Sequence, residues 1–181
     1  MGLYIKELHF ESPNPSAIWD LTADVDAALK KSKAKHGILG VHSKHTTLGM
    51  LVNELAETKL LDDILRFSRV LVPEDARSTW VVGQEPPYPY PTLDFTHNCA
   101  DSPLRPPTEL DNDHNTGRHI RALIFANPTV WIPFKNGALE LGRYQQVGIF
   151  EFDGRNGQGV NPLRERVVQI WIFSVPRITY L

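Results

Sequence analysis

Proline decides where regular structure can run in this chain. Seven of its 14 prolines (Pro86, Pro87, Pro89, Pro91, Pro103, Pro106 and Pro107) fall within 22 consecutive residues. Each removes a backbone donor and fixes φ, so neither a helix nor a central strand passes through the run. Gln84 to Asp113 therefore reads as a long loop. In a compact domain a loop of that length is either functional or disordered. Regular elements are left to the two flanks.

On the N-terminal flank, Leu3 to Phe10 alternates as a half-buried strand does, and Ser12-Pro13-Asn14-Pro15 breaks it. Ser16 is placed to cap a helix carrying Ala17, Leu21, Val25, Ala28 and Leu29 on one stripe. Lys30, Lys31, Lys33 and Lys35 suit its negative end, and Gly37 suits the stop. Gly37 to Ser43 is a short strand leading into His45-Thr46-Thr47-Leu48-Gly49-Met50-Leu51-Val52-Asn53-Glu54. Period-two alternation would put His45, Thr47, Gly49, Leu51 and Asn53 on one face, with polar groups at both ends of an apolar patch. Leu60, Leu61, Ile64, Leu65 and Leu71 are spaced for a second amphipathic helix, which Pro73 ends.

On the C-terminal flank, Val130 to Pro133 reads as a strand, Asn136-Gly137 as a hairpin turn and Ala138 to Leu141 as the return. Gln145 to Phe152 and Arg166 to Val175 are further strands, separated by a glycine-rich turn from Asp153 to Pro162. Gly154 to Gly159 reads as a mobile hairpin loop. At least six strands and two main helices define an α+β class: a mainly antiparallel sheet or sandwich in one domain spanning 1–181, with the proline-rich loop inserted around 84–113.

The charge balance, 19 basic against 21 acidic residues, gives no support for a nucleic-acid binder. No apolar run approaches the ~20 residues that cross a bilayer. The N-terminus lacks the basic start and apolar run of a signal peptide, so the expected compartment is the cytoplasm. Cys99 stands alone, which excludes an intramolecular disulfide.

Among seven histidines, His45, His97 and His119 lie in polar segments suited to chemistry. Imidazole is the commonest metal ligand, so these three are the candidates for a divalent cation, zinc or magnesium. No helical i, i+4 pair is present, and any such site would be assembled from separated segments. The competing reading of His45 is that it ties down a strand end. Asp111, Asn112, Asp113 and Asn115 fail as a calcium loop, for want of Gly at the sixth place and Glu at the twelfth; a turn capping the segment at His119 explains them better. Phosphate-loop, dinucleotide and nucleophile-elbow templates are absent.

Several short segments occur in a fixed order: His45-Thr46-Thr47, Asn53-Glu54, Leu71-Val72-Pro73-Glu74-Asp75, His119-Ile120-Arg121-Ala122, Ile132-Pro133 with Asn136-Gly137, and Gly142 followed by Gln145. Together they resemble the YjbQ-like family, also called secondary thiamine-phosphate synthases, from about residue 40 to 175. The resemblance implies a compact α+β fold, a homotrimer and a weak thiamine-phosphate synthase activity. It implies catalytic roles for His45, Asn53, Glu54, His119 and Gln145, with Glu54 a general base or the partner of a histidine. Thr46, Thr47, Asn115, Arg121 and Arg143 would contact a small phosphorylated ligand, and His45, His97 and His119 would hold the metal. Arg143 and Tyr144 stand where the family carries Thr and Trp, and Gly117 where many members carry another histidine. The alternative is a non-catalytic trimer that binds a small ligand or metal.

Overall fold

Along the chain the computed structural model has β1 (Gly2–Ser12), β2 (Ala17–Asp20), α1 (Thr22–Ser32), β3 (His36–Ser43), β4 (Leu48–Asn53), α2 (Thr58–Leu71), β5 (Glu74–Asp75), β6 (Thr92–Leu93), α3 (Thr116–Phe125), β7 (Thr129–Lys135), β8 (Ala138–Leu139), β9 (Gln146–Glu151) and β10 (Arg164–Val175). The structure describes residues 2–12, 16–75, 92–93, 95, 115–154 and 164–176. Most of the proline-rich loop, with His97 and His114, and most of the 153–162 turn lie outside them.

Five strands form one sheet in the order β1-β10-β3-β7-β8, and three form a second in the order β2-β9-β4. All their pairings are antiparallel; among the described residues only the short β5-β6 pair, whose β6 falls within the stretch expected to be loop, is parallel. Alternation explains the packing between the two sheets. Leu39 and Val41, Ile132 and Phe134, and Val168, Ile170 and Ile172 point inward from the large sheet. They meet Leu48, Met50, Val147 and Ile149 of the small sheet and Val25, Ala28 and Leu29 of α1. Each such side chain, fully buried, contributes about 1.5–3 kcal/mol. Strand β9 is buried on both faces, which is why it reads as a continuous apolar run. Its other face carries Phe150, which joins Phe152 and Leu55 against Leu61, Ile64 and Leu65 of α2 and Ala122 and Phe125 of α3.

The hairpin forms where the turn residues require. Asn136 and Gly137 both have positive φ (54° and 77°), and β8 pairs back on β7. Other expectations need correction. The helix expected from Ser16 begins at Thr22; Ala17 belongs to β2, and Asp20 accepts the Thr22 N–H at 2.7 Å. Helix α1 stops at Lys33, which turns left-handed at φ 58° and bonds Lys30 O; Gly37 is already in β3. The segment from His45 is not one strand: residues 44–47 form a turn, and β4 starts at Leu48. A third helix, α3, absent from the sequence expectation, begins at Thr116 directly after Asn115, and the rest of the turn expected before His119 (Asp111 to Asp113) lies outside the described residues.

Candidate functional site

Helix α3 buries charge. Its buried residues are Gly117, Arg118 and Arg121. Gly117 permits this approach: a Cβ there would lie 2.3 Å from the Pro73 carbonyl oxygen, so the helix rests against the backbone before β5. A histidine, the residue the family resemblance places here, meets the same obstacle. Arg121 donates to Val72 O at 2.9 Å and pairs with Glu74. Arg118 bridges Glu74 (3.3 Å) and Asp153 (2.6 Å). Asp153 also accepts from Asn115 and Arg164, both at 2.8 Å. On the neighbouring strand, Arg166 grips Glu151 through two bonds of 2.5 and 2.6 Å, and reaches Asp153 O and Thr47 Oγ1. Four guanidinium groups and three carboxylates thus form a continuous network joining α3, β5, β9, β10 and the turn before β4.

Burial governs its electrostatics. Desolvation pushes the Glu74 carboxyl up, but Arg118 and Arg121 outweigh it and hold the carboxyl below the usual range. Burial likewise opposes charge on Arg118, and Asp153 and Glu74 overcome it. Arg118, Arg121 and Arg166 are almost wholly buried, whereas Arg164 is 23% exposed. The network therefore meets solvent through Arg164.

His45 stands beside that opening. Strand β3 has ended by Ser43, and the turn continues the ladder along β10: Lys44 N–H donates to Val167 O, and His45 Nε2 accepts the Val167 N–H at 2.8 Å. The imidazole thereby replaces a missing backbone carbonyl. Its pKa is lowered to about 4 by burial first and then by the charges of Arg166, Arg164 and Lys44, against a smaller opposite effect of Glu165. The ring is neutral at pH 7 with its proton on Nδ1, a tautomer assigned from the hydrogen bond. Such a ring offers a donor and no lone pair for a cation.

The described donors do not fit a divalent metal. Among the described residues no three His, Cys, Asp or Glu side chains group as a metal site. His119 lies half-buried on α3, beside Arg118. His97, the third expected ligand, is outside the described residues.

The remaining candidates fall into two sets at opposite ends of β4. At its start lie His45, exposed Thr46 and buried Thr47, tied through Arg166 and Asp153 to Asn115. Arg121 belongs to the same network, but its full burial removes it from direct contact with a solvent-borne ligand. At the other end Asn53 pairs with Gln146 of β9, next to Gln145. Asn53 Oδ1 accepts the Glu54 N–H, and Gln145 Oε1 accepts the Gly142 N–H. Exposed Arg143 lies 5.2 Å from the Tyr144 ring centroid in that turn. Six residues of strand at about 3.3 Å each hold the sets roughly 20 Å apart within one chain. Sequence reasoning missed Arg118, Glu151, Asp153, Arg164 and Arg166; the available signal was a charge inside an apolar strand, as in Ile149-Phe150-Glu151-Phe152.

Comparison with known proteins agrees with this architecture. The family model described as "UPF0047 protein YjbQ-like" matches residues 6–172. A UPF0047 protein of Methanothermobacter thermautotrophicus is 28% identical over 154 residues, covering 85% of this chain and 86% of its own. The UPF0047 protein YugU of Bacillus subtilis is 27% identical, covering 83% and 90%. Among solved structures, a protein of unknown function from Sulfolobus solfataricus superposes with a TM-score of 0.71 at 22% identity, covering 96% of this chain and 99% of that one. One from Aeropyrum pernix does so at 0.69 and 24%, covering 95% and 99%.

Proposed function

The chain belongs to the UPF0047 protein YjbQ-like family, and on that footing we propose that it binds a small phosphorylated ligand at the Arg164–His45 opening and carries out a thiamine-phosphate-synthase reaction there. The observation that carries this reading is geometric: Arg164, the partly exposed member of the buried ion network, opens beside the His45 ring. A diphosphate ester is the kind of ligand such a rim attracts.

In the reaction the thiazole nitrogen forms a C–N bond to the pyrimidine methylene carbon as the C–O bond to pyrophosphate breaks. The pyrophosphate leaves with the bonding pair. Arg164 stabilises the charge developing on it, and His45 donates from Nδ1–H. No general base is required, which accords with a network whose carboxylates are all paired.

The second set, Asn53, Glu54, Gln145 and Arg143, holds the organic part of the substrate. Because about 20 Å of strand separates the sets, the complete site forms between copies of the chain, and a homotrimer supplies the pairing.

Purified protein given the pyrimidine methyl diphosphate and the thiazole phosphate should form thiamine phosphate. Arg164→Gln and Gln145→Ala should each lose most of the rate, and mixed oligomers of the two variants should recover part of it. Absence of product from the wild-type protein discards the synthase; product without recovery discards the shared site. The rival reading, a non-catalytic binding trimer, draws on the same ion-paired carboxylates and stands if ligand binds without product.

A further inference from the structure

A concavity lies apart from this network, between the edge strand β1 and the C-terminal end of α1. Its volume is about 300 Å³, and Tyr4, Lys6, Ala28, Lys31, Ser32 and Ile172 line it. The sequence pattern makes it. Leu8 and Phe10 of β1 pack against the core. Two and four residues upstream of Leu8, on the same strand face, come Lys6 and Tyr4. There the helix is ending, and the strand overhangs a floor of buried Ala28 and Ile172.

The two ammonium groups are the informative part. Neighbouring cations are matched: Lys30 pairs with Asp26, and Lys44 with Glu7. Among the described residues, Lys6 and Lys31 have no ion pair and no carboxylate lines the groove. Lys6 is only partly exposed. The Ser32 hydroxyl is already engaged, donating to Leu29 O and accepting the Ala34 N–H. The groove therefore offers an apolar floor, two unmatched positive charges and the Tyr4 phenol.

We propose that this groove binds a monomeric amphiphilic acid, its aliphatic tail on Ala28 and Ile172 and its carboxylate between Lys6 and Lys31. Small-molecule sites begin at about this volume. At roughly 30 Å³ per heavy atom, the space takes about ten, which suits octanoate as the probe. The groove shares no residue with the Arg164–His45 opening, so the two readings stand or fall separately.

Calorimetry at low salt with octanoate, octanol and octylammonium tests it, with amide shifts locating the ligand. Octanoate should saturate a single site per chain and shift Tyr4, Lys6 and Ile172. Octanol should bind about tenfold more weakly, and octylammonium should not bind. Lys6→Gln with Lys31→Gln should weaken octanoate about tenfold, and the corresponding double Arg variant should retain it. The melting temperature verifies that both variants fold. Equal affinities for octanol and octanoate would mean that the lysine stems merely cover the apolar floor. That result, an unchanged affinity in the double Gln variant, shifts elsewhere or no saturable binding overturns the proposal.

Discussion

The two ends of β4 are built in opposite ways. At its start, buried Thr47 accepts from Arg166, which leads through Asp153 to Arg118, with charge matched to charge away from water. At its finish, the side chains of Asn53 and Gln145 are exposed and, among the described residues, bond only to neighbouring backbone N–H groups. Removing one member of a buried ion network leaves its partner charged and desolvated, whereas removing an exposed turn contact leaves a group that water satisfies. The same polar residue types are therefore architecture at one end and available chemistry at the other. In the proposed function the ligand acts at Arg164, where the enclosed end opens, and on the exposed side chains of the far end.

Substitutions can break that contrast. Arg118→Met cuts the link between Glu74 and Asp153, leaving Glu74 to Arg121 and Asp153 to Arg164 and Asn115, and should lower stability by up to about 3–5 kcal/mol in urea unfolding; a loss below about 1 kcal/mol would mean that the network does not hold α3 in place. Gly117→Ala places a carbon against Pro73 O and should lose about 1–3 kcal/mol by the same measurement.

Acid acts on the enclosed end as well. Unfolded, His45 takes up its proton near 6.5; folded, only near about 4. Over that interval the unfolded state binds more protons, so stability falls as pH falls. Glu74, held low by its arginines, works in the same direction further down: its contribution is present above the unfolded pKa and lost as pH falls through the folded one. His45→Gln keeps an acceptor for Val167 N–H and removes the titration, so the limb below 6.5 should flatten in thermal melts taken across pH. The smallest effects belong to the far end. Asn53→Ala and Gln145→Ala should change stability by less than about 0.5 kcal/mol while lowering product formation; a larger stability loss would show that this end too is structural.

How much of this was legible in the sequence follows from the kind of signal each element leaves. Strands with one apolar face and the Asn136-Gly137 turn announced themselves, because alternation and positive φ are local demands. Helix α3 did not. Its buried face is Gly117, Arg118 and Arg121, and a search for apolar periodicity passes over guanidinium groups. Strand β2 was absorbed into a helix because Ala17, Leu21 and Val25 happen to fit a helical stripe, while the side chain bonding the first helical N–H was that of Asp20 rather than Ser16. Thr47, Asn115 and Arg121 were singled out from the sequence, and the structure ties all three into one network. Thr47 and Asn115 find their partners Arg166 and Asp153 in the C-terminal part of the chain, and Arg121 finds Val72 and Glu74 ahead of the long loop; those pairings are set by tertiary packing. The role of His45 as a stand-in for a strand carbonyl had no local signature either, since it depends on where β3 stops relative to β10.

The central claim is that a phosphorylated ligand binds where the network opens at Arg164. Titrating pyrophosphate into the wild-type protein, Arg164→Gln and Gln145→Ala by calorimetry tests it directly. Saturable binding that weakens at least about tenfold in Arg164→Gln and is unchanged in Gln145→Ala is the expected result. No binding to the wild-type protein, or equal affinity in all three, would contradict it.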